Sequence, residues 1–170
     1  MLYSLRTTSA TAQEGVVLDN ELIAKHSGLN DLRFEIIEAC LYIEHQLITF
    51  ISKYLFPERS EKSDFFNSNI IRSDLITFSG KKRLVLEIIN KENLLNGPEK
   101  DEFGKLISRI LKYRNAFTHG RIIELLTGEV LEYYEGGKRI KELDESYFKK
   151  IDNDFRLYYK IWDKIFFNGD

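Results

Sequence analysis

The residues best suited to chemistry lie close together, in the run from Tyr113 to Gly120. Within it, Arg114, Asn115 and His119 supply a fixed cation, an amide and a titratable imidazole. An arginine can hold a phosphate through two parallel hydrogen bonds, and a histidine can give or take a proton near neutral pH. Together these groups could cleave RNA without a metal ion.

The neighbours of Arg114 give this short motif its weight, because an arginine followed five residues later by a histidine is common by chance. Arg114 follows Ile110 by four residues and Ile107 by seven, so it continues the apolar stripe of its helix. A buried guanidinium without a partner is costly. The partner is either a phosphate or, in a structural ion pair, Glu38 or Glu44 of a long preceding helix.

His119 falls at the expected end of the same helix, where it is either a reactive group or a simple helix cap. On an unbroken helix it lies about 140° round from Arg114. The two side chains therefore converge only if the chain turns at Thr118 or if a second subunit brings them together. Asn115 shares the face of His119 and can orient its ring or bind a phosphate.

Lys105, Arg109 and Lys112 are spaced by four and three residues, and Arg121 follows just beyond the motif. We predict that these four side chains contact phosphates of an RNA backbone. The alternative is an ordinary solvated helix face.

The overall charge restricts how nucleic acid could bind. A net charge of −2 argues against nonspecific coating of nucleic acid, so any contact must be local. A second basic cluster, Lys81 to Arg83, lies at the start of a predicted helix, where the helix dipole disfavours positive charge. Such a departure from a local rule can mark a functional surface.

Cys40 is the single cysteine, which excludes an intrachain disulfide and points to a reducing, cytoplasmic setting. No two histidines are spaced to bind a metal on one helix face, and no phosphate-binding glycine loop is present, so we predict neither a metal nor a cofactor. No apolar run approaches the roughly 18 residues of a membrane span. We therefore expect a soluble protein with no membrane partner.

The first half of the chain contains one strong helical pattern. Apolar residues recur every three or four positions over residues 32–56, which predicts a long amphipathic helix. Asn30 or Asp31 would cap it and Pro57 would end it. Residues 1–18 have the composition of a flexible leader, a short helix is expected over 20–26, and residues 58–77 indicate a loop with one short helix.

In the second half, helices are predicted over residues 79–94 and from Pro98 to about residue 120, with Gly120 in the left-handed conformation common after helix ends. Short segments rich in branched and aromatic residues then predict a β-hairpin or three-stranded meander over about 121–143. Asp144 would cap a last helix. The predicted fold is mainly α, with residues 19–170 forming a single domain: an antiparallel helical bundle with a small β insert before its last helix.

These residues carry a resemblance to a known family. The run RNAFTH, from Arg114 to His119, resembles the arginine, polar residue, three variable residues and histidine of the HEPN superfamily, whose signature lies at a helix end in a four-helix bundle. The wider resemblance is to the mannitol-repressor-like and related prokaryotic HEPN proteins. It spans about residues 29–166 and includes the long first helix, the helix opened by Phe78 to Lys81, the glycine-containing hairpin and the last helix.

The resemblance implies a chemistry for the motif. Many HEPN proteins are metal-independent endoribonucleases that dimerise so that two copies of the motif face each other. By this resemblance, His119 would deprotonate the ribose 2′-hydroxyl or protonate the leaving oxygen, Arg114 would stabilise charge on the phosphate, and Asn115 would position it. The products would be a 2′,3′-cyclic phosphate and a 5′-hydroxyl, so DNA would not be a substrate.

The family also contains dimeric scaffolds and regulators without demonstrated catalysis, including partners in toxin–antitoxin and phage-defence systems. The mannitol-repressor-like branch belongs to this group. Two functions therefore stay open: a homodimeric ribonuclease, or a noncatalytic homodimer that binds a protein or a nucleotide at the same dimer interface. A cognate antitoxin or regulatory protein is an expected partner in either case.

Overall fold

A computed structural model describes residues 28–73, 75–125 and 128–167. Its α-helices are α1 (Leu29–Leu55), α2 (Glu61–Phe66), α3 (Phe78–Lys91), α4 (Gly97–His119) and α5 (Glu145–Phe167), and a π-helix over Asn67–Ile71 continues α2. The strands are β1 (Arg121–Leu125), β2 (Gly128–Tyr134) and β3 (Lys138–Glu142). They form an antiparallel sheet in the order β1-β2-β3. The predicted mainly helical fold, with a three-stranded meander before the last helix, is confirmed.

The leader predicted over residues 1–18 and the helix predicted over 20–26 lie outside the described residues. Over 58–77, where a loop with one short helix is expected, α2 and the π-helix form one helical stretch, and the described residues on both sides of it are irregular. None of the helices in the described part of the chain is both long and apolar enough to cross a membrane.

The first helix begins earlier than its sequence pattern indicates. The residue at the N-cap of α1 is Gly28, so the prediction that Asn30 or Asp31 caps this helix is wrong. Leu29 packs against the core, which extends the helix by one apolar position. The predicted end is confirmed, because α1 stops at Leu55, two residues before the proline.

Side chains cap the later helices. The hydroxyl of Thr77 accepts a hydrogen bond from the N–H of Gly80 at 3.1 Å and begins α3. The amide oxygen of Asn96 accepts one from an N–H in the first turn of α4 at 2.9 Å. The carboxylate of Asp144 accepts one at 2.8 Å at the start of α5, as the sequence predicts. The helix predicted to reach residue 94 ends at Lys91 instead, shortly before Asn93 adopts a positive φ of 54°.

Gly120 joins the end of α4 directly to β1. Its φ of −81° and ψ of 166° describe an extended backbone, so the predicted left-handed conformation is wrong. Glycine is needed here for a different reason, which is close packing. A Cβ atom would lie 2.3 Å from the carbonyl oxygen of Ala116, 2.8 Å from the side chain of Leu131 and 2.9 Å from the carbonyl oxygen of Glu132. The sheet is therefore pressed against the helix end.

The fourth helix is the centre of the bundle, since α4 contacts α1, α3, α5 and β2. Stacked aromatic side chains hold it to α5. The ring centroid of Phe103 lies 5.6 Å from that of Tyr158 and 6.1 Å from that of Trp162. Buried aromatic rings of this kind contribute a large apolar area to the core, so α4 gives its side chains a rigid support.

Candidate functional site

The helix that carries the motif runs without a break from Gly97 to His119. This excludes a turn at Thr118, which was one of the two ways in which Arg114 and His119 could come together. Arg114 and His119 therefore leave the helix on faces about 140° apart. Within one chain, the cation and the imidazole do not converge.

Asn115 and His119 both lie exposed at the end of α4. They are four residues apart and so share one helix face. A third polar group lies close to them, because Nη2 of Arg33 on α1 donates a hydrogen bond to the carbonyl oxygen of Thr118 at 3.2 Å. Arg33 thus satisfies one of the last carbonyls of α4 and adds a positive charge at the helix end. No local pattern predicts this contact, since the two residues are 85 positions apart.

Arg114 faces a different group of charges. Its Nη2 lies 3.9 Å from Oε2 of Glu44, so one of the two structural ion pairs considered from the sequence is present. The other carboxylate oxygen of Glu44 accepts a hydrogen bond from Nζ of Lys81 at 2.6 Å. Lys81 is 6% exposed and Arg114 is 32% exposed at their side chains. The close partner of Glu44 is therefore the buried Lys81, and Arg114 makes only a longer contact with the same carboxylate.

This arrangement also explains part of the basic cluster at the start of α3. Lys81 points into the protein and is neutralised by Glu44 of α1, while Nζ of Lys82 donates to Oγ of Ser108 at 2.9 Å. Arg83 is exposed. The two lysines thus gain partners from other helices, which offsets their unfavourable position in the dipole of α3.

Arg114, Glu44 and Lys81 line a cleft of about 540 Å³. The cleft lies between α1, α3, the last turns of α4 and the segment that joins the π-helix to α3. His45 and Arg72 also line it. The sequence did not single out these two residues for the site. Arg72 reaches it from a connecting segment whose path no periodicity predicts.

The predicted row of phosphate contacts is divided by the fold. Nε and Nη2 of Arg109 donate to the two carboxylate oxygens of Asp154 at 2.9 and 2.7 Å, and the hydroxyl of Tyr113 donates to the same carboxylate at 2.7 Å. The hydrogen bonds to Asp154 raise the pKa of Arg109, and burial raises the pKa of Tyr113. Arg109 is thus bound within the protein.

The other members of the row lie at the surface. Lys112 forms an exposed ion pair with Glu135 at 2.7 Å, and Lys105 and Arg121 are exposed. Exposed ion pairs contribute little to stability and open easily. These three cations are therefore accessible to a phosphate backbone.

Within residues 28–73, 75–125 and 128–167, no three His, Cys, Asp or Glu side chains are grouped as a metal site would require. No model of a known protein family matches the chain, and comparisons with curated proteins and with solved structures give no match.

Proposed function

We propose that this protein is a homodimeric, HEPN-like endoribonuclease that cleaves RNA without a metal ion. One observation carries the proposal: the guanidinium of Arg114 lies 3.9 Å from a carboxylate that already binds Lys81 at 2.6 Å. Arg114 therefore keeps hydrogen-bonding capacity for an anion. A phosphate is the anion that suits its planar pair of donors.

The reaction would follow the chemistry of the motif. The ribose 2′-oxygen attacks the phosphorus, a 2′,3′-cyclic phosphate forms, and the 5′-oxygen leaves. An imidazole of His119 takes the proton of the 2′-hydroxyl or supplies the proton that the 5′-oxygen needs. Arg114 stabilises the charge on the phosphate and Asn115 orients it. A dimer has two copies of each group, so one imidazole can act as base and the other as acid.

The straight course of α4 supports a composite site. Arg114 and His119 diverge on one helix, so a second copy would be needed to place the imidazole of one chain against the arginine of the other. Exposed apolar side chains near this helix end favour self-association: Phe34 is 60% exposed and Leu41 is 42% exposed on α1. Contacts of α1 with Thr118 and Arg114 place this part of α1 beside the end of α4.

The surface cations would bind the RNA on either side of the scissile phosphate. Lys105, Lys112 and Arg121 are accessible for this purpose. The RNA contact of Arg109 stays a prediction, and it would require sharing or exchange of the hydrogen bonds to Asp154.

The divergence of the two reactive side chains also favours a second candidate function. If the chains do not pair through the end of α4, the arginine and the imidazole cannot act on one phosphate. The protein would then be a noncatalytic regulatory module of the mannitol-repressor-like kind, which binds a protein partner such as a cognate antitoxin, or a nucleotide.

Cleavage of a mixed RNA in EDTA separates the two functions. We expect the parent protein to produce 2′,3′-cyclic phosphate ends, detected by mass spectrometry. Arg114→Ala and His119→Ala should each lower the rate by about 100-fold or more. Arg59→Ala is the matched control, because it removes an arginine that is 86% exposed and belongs to none of the predicted contacts. Intact RNA with the parent, or equal rates in all variants, would exclude the ribonuclease.

The oligomeric state tests the composite site separately. We expect sedimentation of the active protein to give the mass of a dimer. Cleavage by a protein that remains monomeric at the assay concentration would contradict a site shared between two chains.

A further inference from the structure

The third strand of the sheet leaves one side of its backbone open. Among the described residues, β3 pairs only with β2, so it forms an edge of the three-stranded sheet. All five residues of β3 are exposed, whereas Ile122 and Ile123 on the other edge strand, β1, are half-buried. The β3 edge is therefore the more open of the two, and an exposed strand edge is a template for a further strand.

The register shows which backbone groups of β3 face outward. The N–H of Leu143 donates to the carbonyl oxygen of Glu129 at 3.0 Å, which fixes the hydrogen-bonded positions of the antiparallel pair. Because these positions alternate along the strand, Arg139 and Lys141 direct their N–H and C=O groups towards β2. The alternate residues direct theirs away from the sheet: Lys138, Ile140 and Glu142. A further strand can therefore form backbone hydrogen bonds at these three positions.

The charges of β3 determine what kind of strand fits. Its sequence, from Lys138 to Glu142, has three cations and one carboxylate. Arg139 and Lys141 share one face of the sheet. A second copy of β3, paired antiparallel about Ile140, would bring arginine directly opposite lysine on that face, and like charges in this position are destabilising. The edge thus disfavours a second copy and attracts an acidic strand.

The other face of the same edge offers an apolar contact. Ile140 is 61% exposed there, and an apolar residue on an added strand would cover it. Lys138 lies on this face too, but it already forms an ion pair with Glu132 of β2, so it contributes little charge to an added strand. The strand that fits best therefore has one apolar residue between two acidic ones.

We propose that the β3 edge binds an extended, acidic segment of another protein, which adds antiparallel to the sheet as a fourth strand. Its apolar residue would pair with Ile140, and the two flanking carboxylates would lie opposite Arg139 and Lys141. Strand addition takes its affinity from backbone hydrogen bonds and its specificity from alternate side chains. This surface is separate from the end of α4, because β3 lies across the sheet from β1, which begins two residues after His119.

Titration with two synthetic peptides, followed by fluorescence anisotropy, tests the inference. The first is a labelled Thr-Thr-Glu-Val-Glu-Thr-Thr, and the second has the same sequence with a methyl group on the valine nitrogen. We expect the methylated peptide to bind at least about fivefold more weakly, because it lacks one backbone hydrogen bond and keeps the same charge. Equal affinity would indicate attraction by charge alone and overturn the inference. So would no binding of the first peptide at millimolar concentration.

Variants of β3 locate the binding. Ile140→Pro removes an N–H that points to solvent and keeps the hydrogen bonds to β2, so it should weaken binding of the first peptide by about tenfold. Arg139→Gln should weaken it by about threefold. Lys62→Gln, which removes an exposed lysine of α2, is the control and should leave it unchanged. Parental affinity in both β3 variants would place the peptide elsewhere and overturn the inference.

Sedimentation distinguishes the acidic segment from a second copy of the chain. We expect Ile140→Pro to have the same mass in solution as the parent protein, since like charges keep two β3 edges apart. A lower mass in this variant would assign the edge to self-association and overturn the inference. Peptide binding is measured without RNA, so failure of this inference and failure of the ribonuclease proposal can be told apart.

Discussion

Two arginines on one helix, five residues apart, are held in very different ways. Arg109 donates two hydrogen bonds to Asp154 at 2.9 and 2.7 Å, and Tyr113 donates a third to the same carboxylate. Arg114 lies 3.9 Å from Glu44, whose nearer cationic partner is Lys81. The first arginine is part of a closed network, and the second is only loosely paired.

Two residues of the same type therefore have different surroundings along α4. A paired, hydrogen-bonded guanidinium at the α4–α5 interface fixes the two helices, because removal of either partner would leave a poorly solvated charge. A guanidinium at a cleft, beside a carboxylate that is already neutralised, contributes little to folding and is free to bind a ligand. The same residue type thus has a structural role on one turn and, in our proposal, a functional role on the next.

The largest expected effect comes from breaking the closed network. Asp154→Ala leaves Arg109 and Tyr113 without their shared acceptor and should lower the free energy of unfolding by about 3 kcal/mol. The value is at the low end for a buried pair because Arg109 keeps 37% of its side chain exposed. Urea unfolding measures it. Asp101→Ala, which removes an exposed aspartate of α4, is the control and should change little.

The next effect concerns the junction that holds the motif end of α4. Gly120→Ala places a Cβ atom 2.3 Å from a backbone carbonyl oxygen, so the helix end and the sheet must separate. We expect a loss of about 2 kcal/mol in thermal or urea unfolding. Gly97→Ala is the matched control, because a Cβ atom there meets nothing within 4 Å and should change stability by under about 1 kcal/mol. Similar stability of the two variants would contradict the tight junction.

A smaller, pH-dependent effect on stability tests whether the thiol of Cys40 is shielded from water. Burial raises the pKa of Cys40 from 9.0 to about 12, and the nearby charge of Arg114 lowers it only in part. Between these pH values the unfolded chain loses a proton that the folded chain keeps, so stability falls as pH rises above 9. At pH 10 ionisation of this thiol in the unfolded chain lowers the free energy of unfolding by about 1.4 kcal/mol.

Urea unfolding at pH 8 and pH 10 measures the contribution of the thiol. The variant Cys40→Ala should lose less stability over this interval than the parent does, because it has no thiol to ionise. An equal loss in both proteins would show that the thiol is accessible to water in the folded state.

The smallest stability effect is expected at Arg114 itself. Arg114→Gln should change the free energy of unfolding by less than about 1 kcal/mol, since the contact is long and partly exposed. A loss above about 2 kcal/mol would make Arg114 a structural residue like Arg109. The observation that carries the proposed function would then fail.

Local signals in the sequence predicted most of the fold. The spacing of apolar residues located α1, α3, α4 and α5, and the glycines between short branched segments located the meander. Asp144 was found as a cap because its hydrogen bond closes within three residues. Where the local signal was ambiguous, tertiary packing decided the result, as with Leu29 at the start of α1 and Gly120 at the end of α4.

The partners of the charged residues at the candidate site were harder to predict from the sequence. The apolar spacing predicted that Arg114 lies on the core-facing stripe, with Glu38 or Glu44 as the partner in an ion pair. The structure pairs it with Glu44, and Lys81 shares that carboxylate from a third helix. Asp154 lies 45 positions from Arg109, so nothing local distinguished this arginine from Lys105 or Lys112. Pairing between distant segments decides which charges are free, and periodicity does not specify it.

The π-helix over Asn67–Ile71 makes the position of Arg72 in the cleft depend on the length of this segment. A π-turn contains one residue more than an α-turn, so deletion of a single residue here would restore α-helical geometry. The chain that follows would then turn by about 100°. Arg72 is the next residue, and its side chain would leave the cleft, while Ile71, the buried residue of the π-helix, would be drawn from its place in the core. One residue of length in this segment would thus change both the charge that the cleft presents and the packing of Ile71 in the core.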